Sequence, residues 1–222
     1  MEYNKVWDFF DEIYCINLDH RTDRWEKAQK EFYRVGVLQK VKRFSAIQEK
    51  DGRLGVIKSN LAIIKIAKEK GLKNVLVFED DVHFIQENNP IETLEKSISQ
   101  IGNLDWWLFY LGANTHEPLQ LITKSRPNLL ILKNAFACHA LCYKNKTFDF
   151  FIRKYEGLEK VEFTDILDVF MAQYFQRKNL CLVVNPIIAT QSASFSDIEK
   201  QNVDYTFIEE RFKNNTKNMK LN

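Results

Sequence analysis

The 222 residues suffice for one large domain with a substantial core, and nothing in them demands two. Apolar residues at 45%, charged residues at 28% and a formal net charge of +2 fit a globular chain and give no argument for nucleic acid or a strongly anionic membrane as partner. No run is apolar enough over sufficient length to span a bilayer, and Met1 to Glu12 lack a secretory-leader pattern, so a cytoplasmic location is expected, with peripheral membrane contact left open.

In chain order, Glu12–Leu18 reads as a strand and Asp19 to Arg24 as a polar turn leading into a helix. Asp19 or Thr22 would cap that helix, Trp25, Ala28, Phe32 and Val35 would form its inner stripe, and Gly36 would end it. Val41–Ile47 is a second short strand, followed by a loop over Gln48–Gly55. Apolar spacing predicts a helix over Lys58–Lys70, with Ser59 near its start and Gly71 as stop. Asn74 to Val82 then runs as Asn-Val-Leu-Val-Phe-Glu-Asp-Asp-Val, a buried strand that ends in three carboxylates. Pro90–Ile101 is an amphipathic helix and Asp105–Leu111 another buried strand. After a long aperiodic loop over Gly112–Asn128, Leu129–Leu132 and Phe136–Tyr143 read as a hairpin-like pair. Helices are expected over Thr147–Tyr155 and Thr164–Arg177, a strand over Leu180–Val184, and a weak helix over Asp204–Phe212 before a frayed, basic end. Cys15, Cys138, Cys142 and Cys181 sit in apolar runs without zinc-site spacing and are expected as buried free thiols.

Alternating strands and helices predict an α/β sheet whose ligands bind at the carboxyl ends of the strands, so the loops after Leu18, Phe78 and Leu111 would share one rim. Three adjacent carboxylates repel one another and become tolerable around a divalent cation or a network of donors. A hard cation such as Mn²⁺ or Mg²⁺, held by one or two carboxylates, commonly completes its shell with phosphate oxygens. Strand alternation separates Glu79 and Asp81 from Asp80, unless a turn after Asp80 gathers them.

Several short segments come in the order found in family 25 glycosyltransferases: Ile16-Asn17-Leu18-Asp19 with Arg21 and Asp23-Arg24, Phe44-Ser-Ala46, Gly55 with Ser59, and Val75 to Asp81. The chain resembles that family, which includes lipooligosaccharide galactosyltransferases and collagen hydroxylysine galactosyltransferases. The likeness continues more loosely through Cys138–Tyr143, Asp168–Ala172 and Ser196-Asp197-Ile198, while Val56 and Asn60 depart from the family's usual cysteine and histidine. The resemblance implies a GT-A-type, Rossmann-like nucleotide-sugar-binding fold with a mixed central sheet, a UDP-sugar donor, Mn²⁺ dependence and inversion at the anomeric carbon. A hydroxyl on an oligosaccharide or a protein would be the acceptor. A catalytically silent nucleotide-sugar or carbohydrate-binding protein of the same fold is the alternative reading.

On this basis Asp81, with Asp80, is the candidate metal ligand, and Glu79 and Asp80 are candidates for ribose or supporting contacts. Asn17, Asp19, Arg21 and Arg24 are candidates for base, ribose or diphosphate, guanidinium forks suiting phosphate; pairing among themselves is the competing reading. Ser59 is a candidate for substrate contact or a helix cap. An inverting transfer needs a base for the acceptor hydroxyl, and Asp168, with Asp165 three residues earlier on the same helical face, fits that place. The same two acids also suit a helix-capping arrangement. Gln191, Ser196 and Asp197 are placed to close over a donor, His139 reads as a packed residue, and one of Trp106 and Trp107 would stack on a sugar if not in the core. A phospho-accepting receiver domain is excluded, because the acids follow the third strand and the next strand ends in Gly112-Ala-Asn without an acceptor aspartate.

Overall fold

A computed structural model describes residues 2–196, 200–205, 207–217 and 219. The strands are β1 (Glu12–Asn17), β2 (Val41–Ser45), β3 (Asn74–Glu79), β4 (Val82–Phe84), β5 (Leu108–Tyr110), β6 (Asn114–Thr115), β7 (Gln120–Leu121), β8 (Leu129–Ile131), β9 (Ala135–Phe136), β10 (Ala140–Lys144), β11 (Cys181–Val184), β12 (Ala189–Gln191), β13 (Ser194–Ser196) and β14 (Gln201–Val203). The helices are α1 (Thr22–Arg34), α2 (Gly52–Glu69), α3 (Pro90–Ile101), α4 (Asn145–Tyr155), α5 (Leu167–Tyr174) and α6 (Phe207–Lys217).

Eight strands form one mixed sheet in the order β2-β1-β3-β10-β5-β11-β8-β7. β1 runs parallel to both β2 and β3, β10 runs antiparallel between β3 and β5, and β11 is parallel to β5. The carboxyl ends of β1, β2, β3, β5 and β11 therefore share one rim, together with the start of β10. That rim carries the loops after Leu18, Phe78 and Leu111, as the alternation of elements predicts. Small antiparallel pairs, β4 with β12, β6 with β9 and β13 with β14, stand above it.

Both faces of the sheet are covered, which is why its strands read as continuous apolar runs rather than alternating ones. Val75 and Val77 face a core built from α2, α4, α5 and α6, with Leu54, Ile57, Phe151, Met171 and Phe212. Leu76 and Phe78 face a second core with Ala28 and Phe32 of α1, Leu94 of α3, and Trp7 and Phe10 from the 3-10 turn before β1. Each such fully buried side chain contributes about 1.5–3 kcal/mol of burial free energy, so the two layers hold the rim rigidly. All four cysteines are buried and free, as expected. Among the described residues no helix is long and apolar enough to cross a membrane.

Several expectations are corrected. Leu129–Ile131 and Ala140–Lys144 are not a hairpin: β8 pairs with β7 and β11, while β10 inserts between β3 and β5. Helix α2 begins at Gly52, capped by the Asp51 carboxylate accepting from Arg53 N at 3.0 Å, so Ser59 lies two turns inside it and caps nothing. The helix expected over Thr164–Arg177 is broken by the extended backbone of Ile166 into a 3-10 turn at Phe163–Asp165, α5, and a 3-10 turn at Gln176–Lys178. Asp165 and Asp168 thus share no helical face. The last helix starts at Phe207 rather than Asp204 and continues to Lys217 through residues expected to fray. Asp19 does not cap α1, whose first turn has no side-chain cap. Trp106 is buried in the core, with the Lys144 ammonium 4.6 Å from its ring centre, and Trp107 packs against Phe150 and Phe175, so neither tryptophan serves as a sugar platform.

Candidate functional site

Strand alternation on β3 sends Glu79 to the α2–α5 side, after Val75 and Val77, and Asp80 to the α1 side, after Leu76 and Phe78. A turn at Asp80 and Asp81 then reverses the chain into β4. Arg24, from the first turn of α1, bridges the turn: Nη1 lies 2.8 Å from Asp80 Oδ1 and Nη2 lies 2.6 Å from Asp81 Oδ2. The second oxygen of Asp80 accepts from Asn17 Nδ2 at 2.6 Å, and Asn17 also donates to Arg21 O. From β12, Gln191 Nε2 lies 3.2 Å from Glu79 Oε2 and 3.4 Å from both oxygens of Asp81. The next residue, Ser192, donates its N–H to Asp81 O at 2.8 Å.

Burial, with Asp81 and Asp80 alongside, pushes Glu79 up to about 8. Burial raises Asp80 as well, against the opposing pull of Arg24 and Asn17. The site therefore holds more negative charge than Arg24 neutralises, and the groups that approach its oxygens are N–H donors. Such an all-oxygen donor set suits a hard divalent ion. Among the described residues no group of three or more His, Cys, Asp or Glu side chains forms a ready-made metal cage. With both oxygens of Asp80 engaged by Arg24 and Asn17, Asp81 and Glu79 are the acids whose oxygens face a common point, occupied here by the Gln191 amide.

These acids open onto a cleft of about 320 Å³. Ile16, Leu18, Ala46 and Val56 give it an apolar wall from β1, the loop after β2 and α2, and Val203 and Tyr205 add a wall from the C-terminal segment. The loop over residues 46–50 is fastened to the scaffold. Ala46 N donates to Asn17 O, Ile47 N donates to Ser59 Oγ at 2.9 Å, and Ser59 Oγ donates to Gly55 O at 2.7 Å. Gly55 is required there, because a Cβ would stand 2.6 Å from Ile47 O. The Gly55–Ser59 spacing thus fixes the wall of the cleft.

Of the residues singled out from sequence, Arg24, Ser59, Glu79, Asp80, Asp81 and Gln191 line the cleft. Asn17 lies buried beneath it, holding Asp80 and accepting from Arg43. Asp19 pairs with Arg43 and Ser45, and Arg21 forks onto Asp23; neither is in the cleft wall. Asp165 pairs with Lys154 and accepts from Glu162 N in a reciprocal capping box, one step earlier than the arrangement expected. Asp168 is partly buried on the same side of the sheet as Glu79 and outside the cleft lining, accepting from Val169 N at 2.8 Å and from Ala137 N at 3.3 Å, and desolvation raises its carboxyl. His139 is packed, its Nε2 3.2 Å from Ala189 O, and burial lowers its pKa. Asp197 and Ile198 lie outside the described residues. His20, Lys50, Lys200, Val203 and Tyr205 also line the cleft, and no motif spacing marks them.

No protein-family model matches the chain. Procollagen galactosyltransferases 1-A and 1-B of Xenopus laevis are 29% and 32% identical to it over 130 residues, which cover 46% of this chain and 21% of each relative. The match thus spans about a fifth of those proteins' length. Among solved structures, a glycosyltransferase involved in the glycosylation of the major capsid of PBCV-1 superposes with a TM-score of 0.52 at 10% identity, over 92% of this chain and 97% of that one. The fold is accordingly the GT-A-type α/β architecture with a mixed central sheet expected from the sequence.

Proposed function

We propose that this chain is a metal-dependent, inverting glycosyltransferase that moves a hexose, galactose in the first instance, from a UDP-sugar to a hydroxyl group on an oligosaccharide or a protein. The observation that carries this reading is the acidic turn at the end of β3, opening onto a cleft with an apolar wall. A nucleoside diphosphate has the matching polarity, a flat apolar base at one end and anionic oxygens that share a cation with carboxylates at the other. The choice of galactose rests on the names of the Xenopus relatives.

Asp81 and Glu79 would hold Mn²⁺, or Mg²⁺, which when bound supplies Lewis-acid stabilisation of the charge left on the nucleotide. Arg24 and Asn17 hold the turn so that Asp80 stays directed at the protein and Asp81 at the cleft. The wall of Ile16, Leu18, Ala46 and Val56 receives the base and excludes water from it. Asp168 takes the proton of the acceptor hydroxyl: its raised pKa brings a carboxylate closer to the strength of a useful base. Asp165, neutralised by Lys154, positions the start of α5.

Calorimetric titration with UDP, with and without Mn²⁺, tests the binding reading, and release of UDP from a panel of UDP-sugars tests turnover. Binding that requires Mn²⁺ and is lost in Asp81→Ala is expected, with an unchanged circular dichroism spectrum. Asp168→Asn is expected to lower kcat by ~10²–10⁴ with little change in donor KM. UDP binding with no turnover against any sugar or acceptor would identify a silent relative, and the absence of UDP binding at saturating Mn²⁺ would overturn the proposal.

A further inference from the structure

The lining of the cleft includes cations besides Arg24. Lys50, from the loop before α2, and Lys200, from the turn leading into β14, both line it, on segments 150 residues apart in sequence. Of the other charges around the cleft, Glu49 pairs with Lys58, while Asp80 and Asp81 share the single Arg24. Among the described residues neither Lys50 nor Lys200 has a carboxylate partner, a state they share with several other lysines, and what sets them apart is their place in the cleft lining.

Lys200 carries a second mark. Its φ of +55° lies in the left-handed region, where glycine or asparagine is the easy choice. A long cationic side chain kept at a position that disfavours any side chain is a feature that needs a use. The neighbouring Val203 and Tyr205 bring the same segment into the cleft.

We propose that Lys50 and Lys200, brought to one cleft from distant parts of the chain, together hold the diphosphate of the donor, so that the C-terminal segment contributes to reading the second phosphate group. This deepens the nucleotide-sugar reading above and rests on it. An ammonium is a point charge with three donors, suited to the several anionic oxygens of a diphosphate. A nucleoside monophosphate presents too few oxygens to engage both ammonium groups together with a cation.

The test is titration of UDP and of UMP, each with Mn²⁺, into the wild type, Lys50→Met, Lys200→Met and Lys200→Arg. Each Met variant is expected to weaken UDP by about tenfold or more, in line with a lost charge-assisted hydrogen bond, and UMP by less than about twofold. Lys200→Arg is expected to keep most of the UDP affinity, and the melting temperatures of all four proteins should agree, since neither lysine has an ion-pair partner among the described residues. UDP affinity that does not change in the Met variants, or UDP and UMP weakened equally, would overturn the clamp while leaving the donor reading standing. A wild type that binds neither nucleotide would remove both.

Discussion

Arg24 is the counter-charge on which the acidic turn depends. Its guanidinium spans two largely buried carboxylates, and removing one partner of a buried pair typically costs about 3–5 kcal/mol because the remaining charge stays desolvated. Arg24→Met should therefore lower the melting temperature, and Mn²⁺ should restore more of it in the variant than it adds to the wild type. Equal shifts in both proteins would argue that no cation takes up the exposed charge. Glu79 sets a pH dependence of the opposite kind to an ordinary surface acid. Its pKa is raised by burial and by Asp81 and Asp80 from 4.5 to about 8, so between those values the folded state holds a proton that the unfolded state has lost. The contribution is fully present at pH values below about 4.5 and is lost as pH rises through about 8. Glu79→Gln should flatten the fall in stability over that window, measured by denaturant unfolding at a series of pH values.

At the level of elements, Gly112 marks the tightest crossing on the rim. It follows β5, and a Cβ there would lie 1.8 Å from Ala189 O and 2.7 Å from His139 Nε2. Ala189 is tied to the rim by its N–H, which donates to Leu111 O, and the imidazole is buried, so neither can withdraw and Gly112→Ala should displace β12 and with it Gln191. The expected result is a loss of about 1–3 kcal/mol from overpacking, together with weaker Mn²⁺ binding; a fully stable variant with intact binding would refute that coupling. Such crossings are invisible in the chain, whereas β3, β5 and α3 were plain in it because burial on both faces, or on one helical stripe, leaves a local pattern. Helix α2 shows the intermediate case. Two early glycines, Gly52 and Gly55, made its first turns read as a loop, and only the close approach of Ile47 O explains why a glycine occupies a helix interior. The acidic motif was legible for the same reason as β3, since polar residues at the end of an apolar run must reach an edge. Arg24 stood among four candidate residues of one turn, and nothing but the fold separates it from Arg21, which pairs with Asp23 instead. Lys200 and Tyr205 carried no local signal, because a long stretch of chain separates them from the wall they face.

For the molecule as a whole, two apolar layers enclose every cysteine, and burial raises all four thiols well above their ordinary pKa. A thiol reagent should find essentially no reactive sulfur in the native protein and four in denaturant, and rapid labelling of a native thiol would show that one of the layers opens. The eighth-strand count conceals an asymmetry in how the sheet is assembled. Among the described residues β10, which follows both in sequence, is the one neighbour that β3 and β5 have in common. On an emerging chain the β1-β2-β3 portion and the β5 portion therefore remain two separate ribbons with raw, hydrogen-bond-hungry borders until residues 140–144 leave the ribosome. A sheet closed down its middle by a strand that follows both halves in sequence exposes its stickiest borders while it is being made, not once it is finished.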